Sequence, residues 1–185
     1  MPDLFPAAAV LFDRDGTLVH DVPYNGDPAR VCPVESARPA LRTLRRLGLR
    51  TGVVTNQSGL ATGKLTPEQV ARVNRRVDDL LGPFEIWEVC PHAPNDGCGC
   101  RKPAPGMVLR AAERLDVEVC QVAVIGDIGA DVDAAAAAGA WGLLVPTART
   151  QPAEVRRAAL VATDLVEAVD LAIDRIVHHA GRAAR

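Results

Sequence analysis

Residues 7–17 read AAAVLFDRDGT, an apolar run followed at once by two carboxylates. The apolar run predicts a buried β-strand that ends at Asp13. Asp13 and Asp15 then lie two residues apart, and their mutual repulsion costs free energy unless a cation compensates it. Mg²⁺, which prefers carboxylate oxygens, is such a cation. An ordinary turn explains the same residues, because Asp and Gly are both favoured there. Taken alone, the stretch supports the two interpretations equally.

The rest of the chain alternates short apolar runs with segments of helical periodicity. We predict four more strands, at 49–54, 85–89, 121–125 and 141–145. We predict helices at 37–47, 66–81, 105–115, 131–138, 152–160 and 164–179, with a frayed tail after Gly181. This alternation predicts an α/β fold, in which an open, Rossmann-like parallel sheet carries helices on both faces. We expect one domain over residues 1–185, with too little additional chain for a large cap domain.

Polar residues cluster where the predicted strands end, which is where open parallel sheets bind their ligands. Asp127 follows the fourth strand and would complete a magnesium site with Asp13 and Asp15. Asp131 is explained as a first-turn carboxylate of the next helix, where the helix dipole favours negative charge. Whether Asp131 also contacts the metal stays open.

Two further segments are suited to holding a phosphate group. Residues 55–58, Thr-Asn-Gln-Ser, end the second strand with hydroxyl and amide groups, although an ordinary polar turn has the same composition. Lys102 supplies a cation, and Pro103 restricts its backbone. A single lysine is more often a solvated side chain. Both segments therefore gain their interest from the carboxylates predicted beside them.

Three of the five cysteines lie in one short loop together with a histidine. Cys90, His92, Cys98 and Cys100 form a C-x-H-x5-C-x-C pattern, and three thiolates with one imidazole suit tetrahedral zinc. Protein atoms would fill all four positions, so the predicted zinc in loop 90–100 is structural rather than catalytic. Buried free thiols or redox-active cysteines are the alternatives. An odd number of cysteines does not indicate a disulfide framework.

Composition excludes several classes of function. A net charge of −2 argues against nucleic acid as a partner, because there is no basic excess to displace counterions from a phosphate backbone. The apolar runs are too short to span a membrane. Residues 1–10 have neither a basic region nor a convincing cleavage site, so we predict no signal peptide. We expect a cytoplasmic monomer that acts on a small phosphorylated sugar or metabolite.

Together, these segments resemble the haloacid dehalogenase (HAD) superfamily of phosphohydrolases. Its four motifs occur in order, at residues 13–17, at Thr55 with Asn56, at Lys102, and at residues 126–131. Each motif alone has a real false-positive rate, whereas the ordered set is highly specific. The resemblance is thus carried by residues 13–131 and implies the HAD fold.

The resemblance also implies roles for individual residues. Asp13 matches the nucleophile that forms an aspartyl-phosphate, and Asp15 matches the general acid and base. Thr55 and Lys102 match the residues that hold the phosphoryl group and neutralise its charge. A catalytic Mg²⁺ would be held by Asp13, by Asp15 through its backbone carbonyl, and by Asp127.

Nearly the whole chain resembles the subgroup of heptose-bisphosphate phosphatases and related histidinol-phosphatase domains, which also place a cysteine-histidine loop before an Arg-Lys pair. Residues 21–24 correspond to a flap that contacts substrate in this subgroup, and Arg101 to a residue that binds the second anionic or polar group. The substrate-binding residues that the resemblance implies are Asp21, Tyr24, Thr55, Asn56, Gln57, Ser58, Arg101 and Lys102.

The chain departs from this subgroup at two positions near the predicted site. Ile128 stands where a Lys or Arg is usual, and Thr62 replaces a usual Arg. The zinc loop is also short. The loss of two cations favours a substrate with less negative charge than a bisphosphate.

Four functions follow as hypotheses. The first is removal of the 7-phosphate from D-glycero-D-manno-heptose 1,7-bisphosphate, and the second is hydrolysis of histidinol phosphate or another sugar phosphate. The third is a zinc-stabilised binding protein that has lost catalysis, which the intact carboxylates argue against. The fourth is a phosphotransferase, although the sequence has no P-loop for a nucleotide.

Overall fold

Five parallel strands form one sheet within residues 8–183, the part of the chain that the computed structural model describes. The strands are β1 Ala9–Phe12, β2 Arg50–Asn56, β3 Ile86–Cys90, β4 Val122–Gly126 and β5 Trp141–Leu144. Their order across the sheet is β3-β2-β1-β4-β5, and every neighbouring pair is parallel. The predicted open parallel sheet is therefore confirmed. Ala7, where the first strand was predicted to begin, lies outside the described residues.

Helices cover both faces of this sheet, as the sequence predicted. The helices are α1 Ala37–Arg46, α2 Pro67–Leu81, α3 Gly106–Arg114, α4 Gly129–Ala138, α5 Pro152–Arg157 and α6 Leu165–Ala183, with short 3₁₀ turns at Pro28–Arg30 and Val119–Gln121. Helices α1, α2 and α6 contribute to the core on one face, and α3 and α4 to the core on the other. None of the described helices combines the length and the apolar character needed to cross a membrane.

The start of α2 illustrates how local sequence sets an element. The Thr66 hydroxyl accepts a hydrogen bond from the Gln69 backbone N–H at 3.2 Å, and the Gln69 side chain accepts one from the Thr66 N–H at 2.8 Å. Pro67 occupies the first helical position, where a missing N–H costs nothing. This reciprocal cap stabilises the helix by about 1 kcal/mol. Val73 and Val77 then lie on its buried face.

The predicted boundaries were wrong in three helices. Helix α4 begins at Gly129 rather than Asp131, because the Asp131 carboxylate accepts a hydrogen bond from the Ile128 N–H and caps the first turn. Helix α5 ends at Arg157 rather than at 160, because the chain beyond it pairs with β5 through hydrogen bonds at Leu144. Helix α6 continues to Ala183 rather than ending at 179, and residues 184 and 185 lie outside the described chain.

The order in which strands are added to the sheet reverses at β1. The strand β2 lies on one side of β1 and β4 lies on the other, so their carboxyl ends flank the carboxyl end of β1. Ligand sites of open α/β sheets form at such a switch point. Asp13 follows β1, Thr55 lies near the end of β2, and Asp127 follows β4. The fold therefore brings the three predicted segments to one place.

Candidate active site and zinc centre

A cavity of about 310 Å³ lies at the carboxyl ends of β1, β2 and β4. It brings together the sequence-predicted catalytic, magnesium-binding and substrate-binding residues Asp13, Asp15, Asp21, Tyr24, Thr55, Asn56, Gln57, Ser58, Arg101, Lys102 and Asp127. These residues come from segments up to 114 positions apart, as the interval from Asp13 to Asp127 shows. Asp131, Ile128 and Arg149 line the same cavity.

Lys102 is a buried cation of this cavity that lies beside Asp13. Its Nζ lies 2.5 Å from Asp13 Oδ1 and 2.6 Å from Asp131 Oδ1, and it donates a hydrogen bond to the Val54 carbonyl at 2.7 Å. The Lys102 side chain is only 3% exposed. Burial alone would lower the pKa of Lys102, but Asp13 and Asp131 outweigh burial and raise this pKa above its ordinary value. Lys102 is therefore a fixed, permanently charged group beside the Asp13 carboxylate.

The carboxylates outnumber this cation. Burial raises the pKa of Asp13 to about 7; Lys102 opposes the shift, and repulsion from Asp131 and Asp15 adds to it. Burial and the nearby Asp131 raise the pKa of Asp127 to about 6. The three buried carboxylates of Asp13, Asp127 and Asp131 lie around the one ammonium of Lys102, so they favour a further positive charge. A hard divalent cation fits oxygen donors of this kind.

Asp15 is oriented by two buried side chains. Its Oδ2 accepts hydrogen bonds from Arg14 Nη2 at 2.8 Å, from Arg14 Nε at 3.1 Å and from Gln57 Nε2 at 2.8 Å. Arg14 is 1% exposed and is itself anchored by Asn74 at 2.7 Å. No donor among the described residues contacts Asp15 Oδ1, so this oxygen is available for proton transfer to a bound molecule.

Asn56 and Gln57 contact the protein itself. The Asn56 amide forms two 3.1 Å hydrogen bonds with the Lys102 backbone, donating to its carbonyl and accepting from its N–H. Gln57 Nε2 donates to Thr55 Oγ1 at 2.9 Å as well as to Asp15. Both residues were predicted to bind substrate. Their amide N–H groups hold side chains and backbone that face the cavity, and their contact with substrate stays a prediction.

The predicted zinc ligands converge in one cluster. The ligand atoms of Cys90, His92, Cys98 and Cys100 all lie within 4.8 Å of one another. The three Sγ–Sγ distances are 3.2, 3.5 and 3.8 Å, and His92 Nδ1 lies 3.2 Å from Cys100 Sγ. Two sulfurs of a tetrahedral zinc site with Zn–S bonds of about 2.3 Å are separated by about 3.8 Å. Four donors of the right type at this spacing fit a zinc ion, and loop 90–100 is the only such cluster among the described residues.

Comparisons with known proteins agree with this geometry. The profile of the HAD-hydrolase-like family matches residues 99–169. A D-glycero-beta-D-manno-heptose-1,7-bisphosphate 7-phosphatase of Salmonella typhi is 34% identical over 163 residues, which cover 82% of this chain and 87% of the relative. The enzyme of the same name from Pseudomonas putida is 33% identical over 164 residues, which cover 84% of this chain and 94% of the relative.

A solved structure shares the fold as well. The D,D-heptose 1,7-bisphosphate phosphatase of B. bronchiseptica, crystallised with magnesium and phosphate, superposes with a TM-score of 0.78 at 28% identity, covering 90% of this chain and 98% of that one. The chain belongs to the HAD family of phosphatases.

At two positions of the HAD motifs in this phosphatase, the surrounding atoms leave room only for glycine. Gly16 has φ +86°, a conformation that residues with a Cβ rarely adopt, and a Cβ there would collide with the Asp127 carboxylate. A Cβ on Gly126 would collide with the side chain of Asp131. The absence of a side chain therefore leaves room for the Asp127 carboxylate at Gly16 and for the Asp131 side chain at Gly126.

Two threonines that hold Asp127 in this phosphatase were not predicted from the sequence. The Thr147 hydroxyl donates to Asp127 Oδ2 at 3.2 Å, and the Thr150 hydroxyl donates to the Asp127 carbonyl at 2.5 Å. Both follow β5, so the signal available in the sequence was a pair of hydroxyls beyond the carboxyl end of a strand. The ion pair between Asp131 and Lys102 was also missed, since Asp131 was interpreted as a helix cap, which it is as well.

Proposed function

We propose that this HAD phosphatase is a magnesium-dependent phosphomonoesterase that removes the 7-phosphate of D-glycero-β-D-manno-heptose 1,7-bisphosphate through an aspartyl-phosphate intermediate. The observation that carries the proposal is the 2.5 Å contact between the Lys102 ammonium and the Asp13 carboxylate, in a cavity that also contains Asp15 and Asp127. The names of relatives that are 33–34% identical over most of their length support the substrate.

In the first half of the reaction, a carboxylate oxygen of Asp13 attacks the phosphorus of the 7-phosphate. The bond from phosphorus to the C7 oxygen breaks, and Asp15 donates its proton to that oxygen, which leaves as a hydroxyl. The hydrogen bonds that Asp15 Oδ2 accepts from Arg14 and Gln57 favour the other oxygen, Oδ1, as the proton donor. Lys102 neutralises charge on the phosphoryl oxygens, and Thr55 donates a hydrogen bond to them.

In the second half, Asp15 acts as the base. It removes a proton from a water molecule whose oxygen attacks the same phosphorus. The bond between phosphorus and Asp13 breaks, which releases inorganic phosphate and restores the Asp13 carboxylate. One residue thus serves both steps, because the proton that it gives to the sugar is replaced by the one that it takes from water.

The carboxylates of Asp13 and Asp127, with the Asp15 backbone carbonyl, are the residues that would hold Mg²⁺. Their raised pKa values support this assignment, since burial leaves both groups short of compensating charge. Bound there, the ion would screen the repulsion between the anionic nucleophile and the anionic phosphate.

The zinc centre supports the substrate side of the cavity. The Arg101 guanidinium donates to the His92 carbonyl at 3.2 Å, so the loop that zinc would order also positions Arg101. Ser58 and the flap at residues 21–24 complete the surface that would contact the sugar. The three thiolates of the site require a reducing compartment, which favours the cytoplasm.

We further propose that residues 1–185 form a single domain that acts as a monomer. The large apolar side chains exposed among the described residues belong to different helices and loops: Tyr24, Leu47, Leu109, Val161 and Val177. A stable interface would need a contiguous apolar surface.

A panel assay tests the proposed function. The purified protein is supplied with Mg²⁺ and with heptose 1,7-bisphosphate, histidinol phosphate, several sugar monophosphates or p-nitrophenyl phosphate, and the released phosphate is measured. We expect the highest kcat/KM with the heptose bisphosphate. A wide preference for histidinol phosphate would contradict the substrate and leave the phosphatase activity in place, whereas no release from any compound would contradict both.

A further inference from the structure

Arg149 lies at the mouth of the catalytic cavity, in the turn that follows β5. Its side chain is 63% exposed and forms an ion pair with Asp21, which belongs to the flap at residues 21–24 and lines the same cavity. Ile128, which directly follows Asp127 and carries no charge, lines the same cavity. An arginine from a different element therefore supplies positive charge to a cavity that the sequence departures suggested had lost it.

The turn that carries Arg149 is fixed to the catalytic machinery. The Arg149 N–H donates to Thr147 Oγ1 at 3.2 Å, and the Thr147 N–H donates to Thr150 Oγ1 at 2.8 Å. The hydroxyls of both threonines donate in turn to Asp127. The backbone of Arg149 is thus held in register with a proposed magnesium ligand, while its exposed guanidinium remains able to exchange partners.

The charges at the mouth suit an anion. The cavity is lined by two guanidinium groups near its opening, Arg101 and Arg149, and Lys102 lies deeper beside the nucleophile. Arg101 is tethered to the His92 carbonyl, whereas Arg149 is paired with a carboxylate. A phosphate group can take the place of that carboxylate, because the planar guanidinium fork binds either oxyanion through two parallel hydrogen bonds.

On the basis of the heptose-bisphosphatase activity proposed above, we propose that Arg149 is a specificity-determining residue that binds the second phosphate of the substrate, the one that is not cleaved. Before the substrate binds, the Arg149 guanidinium is paired with the Asp21 carboxylate. The distal phosphate then displaces that carboxylate. The cation that Ile128 does not provide is supplied by Arg149, so the chain retains a site for a doubly phosphorylated sugar.

A matched pair of substrates separates this role from a structural one. Heptose 1,7-bisphosphate and heptose 7-phosphate share the sugar and the leaving group and differ only in the distal phosphate. Both are assayed with the wild type, Arg149→Ala, Arg149→Lys and the control Arg156→Ala. Arg156 is an exposed arginine of α5 that does not line the cavity, so its replacement changes the net charge equally.

For Arg149→Ala we expect KM for the bisphosphate to rise about tenfold or more, the size of a lost charge-assisted hydrogen bond. We expect its kcat to stay within about twofold, and both constants for the 7-phosphate to be unchanged. Arg149→Lys should lie between, since an ammonium keeps the charge without the fork. Arg156→Ala should match the wild type with both substrates.

Two results would overturn the inference in distinguishable ways. If the wild type prefers the bisphosphate and Arg149→Ala keeps that preference, or loses activity equally with both substrates, Arg149 does not bind the distal phosphate while the proposed function stands. If the wild type hydrolyses neither heptose phosphate, the proposed function is wrong and the inference fails with it. Thermal unfolding of each variant, and Arg149→Gln as a longer replacement, exclude a loss caused by misfolding of the turn.

Discussion

Asn56 and Lys102, 46 residues apart in the chain, are joined by two hydrogen bonds of 3.1 Å between the asparagine amide and the lysine backbone. Asn56 is the last residue of β2, and Lys102 follows the zinc loop. The pair therefore fixes the backbone of Lys102 to the sheet, while the Lys102 side chain extends to Asp13. A residue that we propose neither as nucleophile nor as metal ligand thus holds the backbone of the lysine proposed to neutralise the phosphoryl group.

Replacing Asn56 tests this connection. Asn56→Ala removes both hydrogen bonds and leaves two backbone groups of Lys102 without partners, so we expect kcat to fall about a hundredfold, which is the cost of a small misplacement of a catalytic group. The free energy of unfolding should fall by about 1–3 kcal/mol. Steady-state kinetics and urea denaturation measure the two effects.

Asn95→Ala is the matched control, because Asn95 is exposed in the zinc loop and its side chain forms no hydrogen bond with the described residues. It should behave as the wild type. A kcat for Asn56→Ala within about threefold of the wild-type value would show that Lys102 is held in place by other contacts.

The cluster of Cys90, His92, Cys98 and Cys100 predicts a second, separate metal requirement. We expect the protein purified under reducing, chelator-free conditions to contain one zinc per chain by elemental analysis, because the four ligands converge within 4.8 Å. Cys98→Ser should lose the zinc and lower activity indirectly, through Arg101 and the neighbouring Lys102. Cys32→Ser, at an exposed cysteine remote from the cluster, should keep both. A wild-type protein free of zinc would refute the assignment.

Magnesium binding should depend on pH through Asp13 and Asp127. Their pKa values are raised to about 7 and about 6, so in the metal-free protein both carboxyls hold protons that the unfolded chain releases near pH 4. The stability that these protons give to the metal-free protein is present below pH 4 and is lost as the pH rises through 7. Mg²⁺ binds the ionised groups, so the increase in Tm caused by magnesium should be larger at pH 8 than at pH 5.5.

Thermal scans with and without added Mg²⁺ measure this difference, in buffers without chelator so that zinc is retained. Asp133→Asn, at a half-buried carboxylate of α4 that pairs with Arg157 and does not line the cavity, should preserve the pH dependence, whereas Asp127→Asn should remove most of the magnesium effect. An equal shift in Tm at both pH values would contradict the proposed ligands.

Most of the site residues that lie at the ends of strands could be predicted from the sequence. Asp13, Thr55 and Asp127 could be placed together because parallel strands present their carboxyl ends at one edge. The zinc ligands could be grouped because they are close in the chain.

Contacts between distant segments could not be predicted. The pairing of Asn56 with Lys102, the threonines that hold Asp127, and the ion pair of Arg149 with Asp21 all depend on how loops from different strands meet. Helix α5 was predicted too long for a related reason, since helical periodicity does not reveal that the next residues pair with β5. Even where polar residues mark a strand end, as Thr147 and Thr150 do, a single sequence does not show which distant residue they contact.

In the proposed reaction, Asp13 accepts the 7-phosphoryl group of the heptose bisphosphate and then loses it to water. Phosphorus NMR of heptose 1,7-bisphosphate with Mg²⁺ and either the wild type or Asp13→Asn tests it most directly, because the spectrum identifies which phosphate leaves. With the wild type we expect the 7-phosphate signal to be replaced by inorganic phosphate while the 1-phosphate signal remains. Asp13→Asn should stay folded, since Lys102 keeps its contact with Asp131, and should lose several powers of ten in rate. Release of the 1-phosphate, or more than about a hundredth of the wild-type rate in Asp13→Asn, would contradict the account.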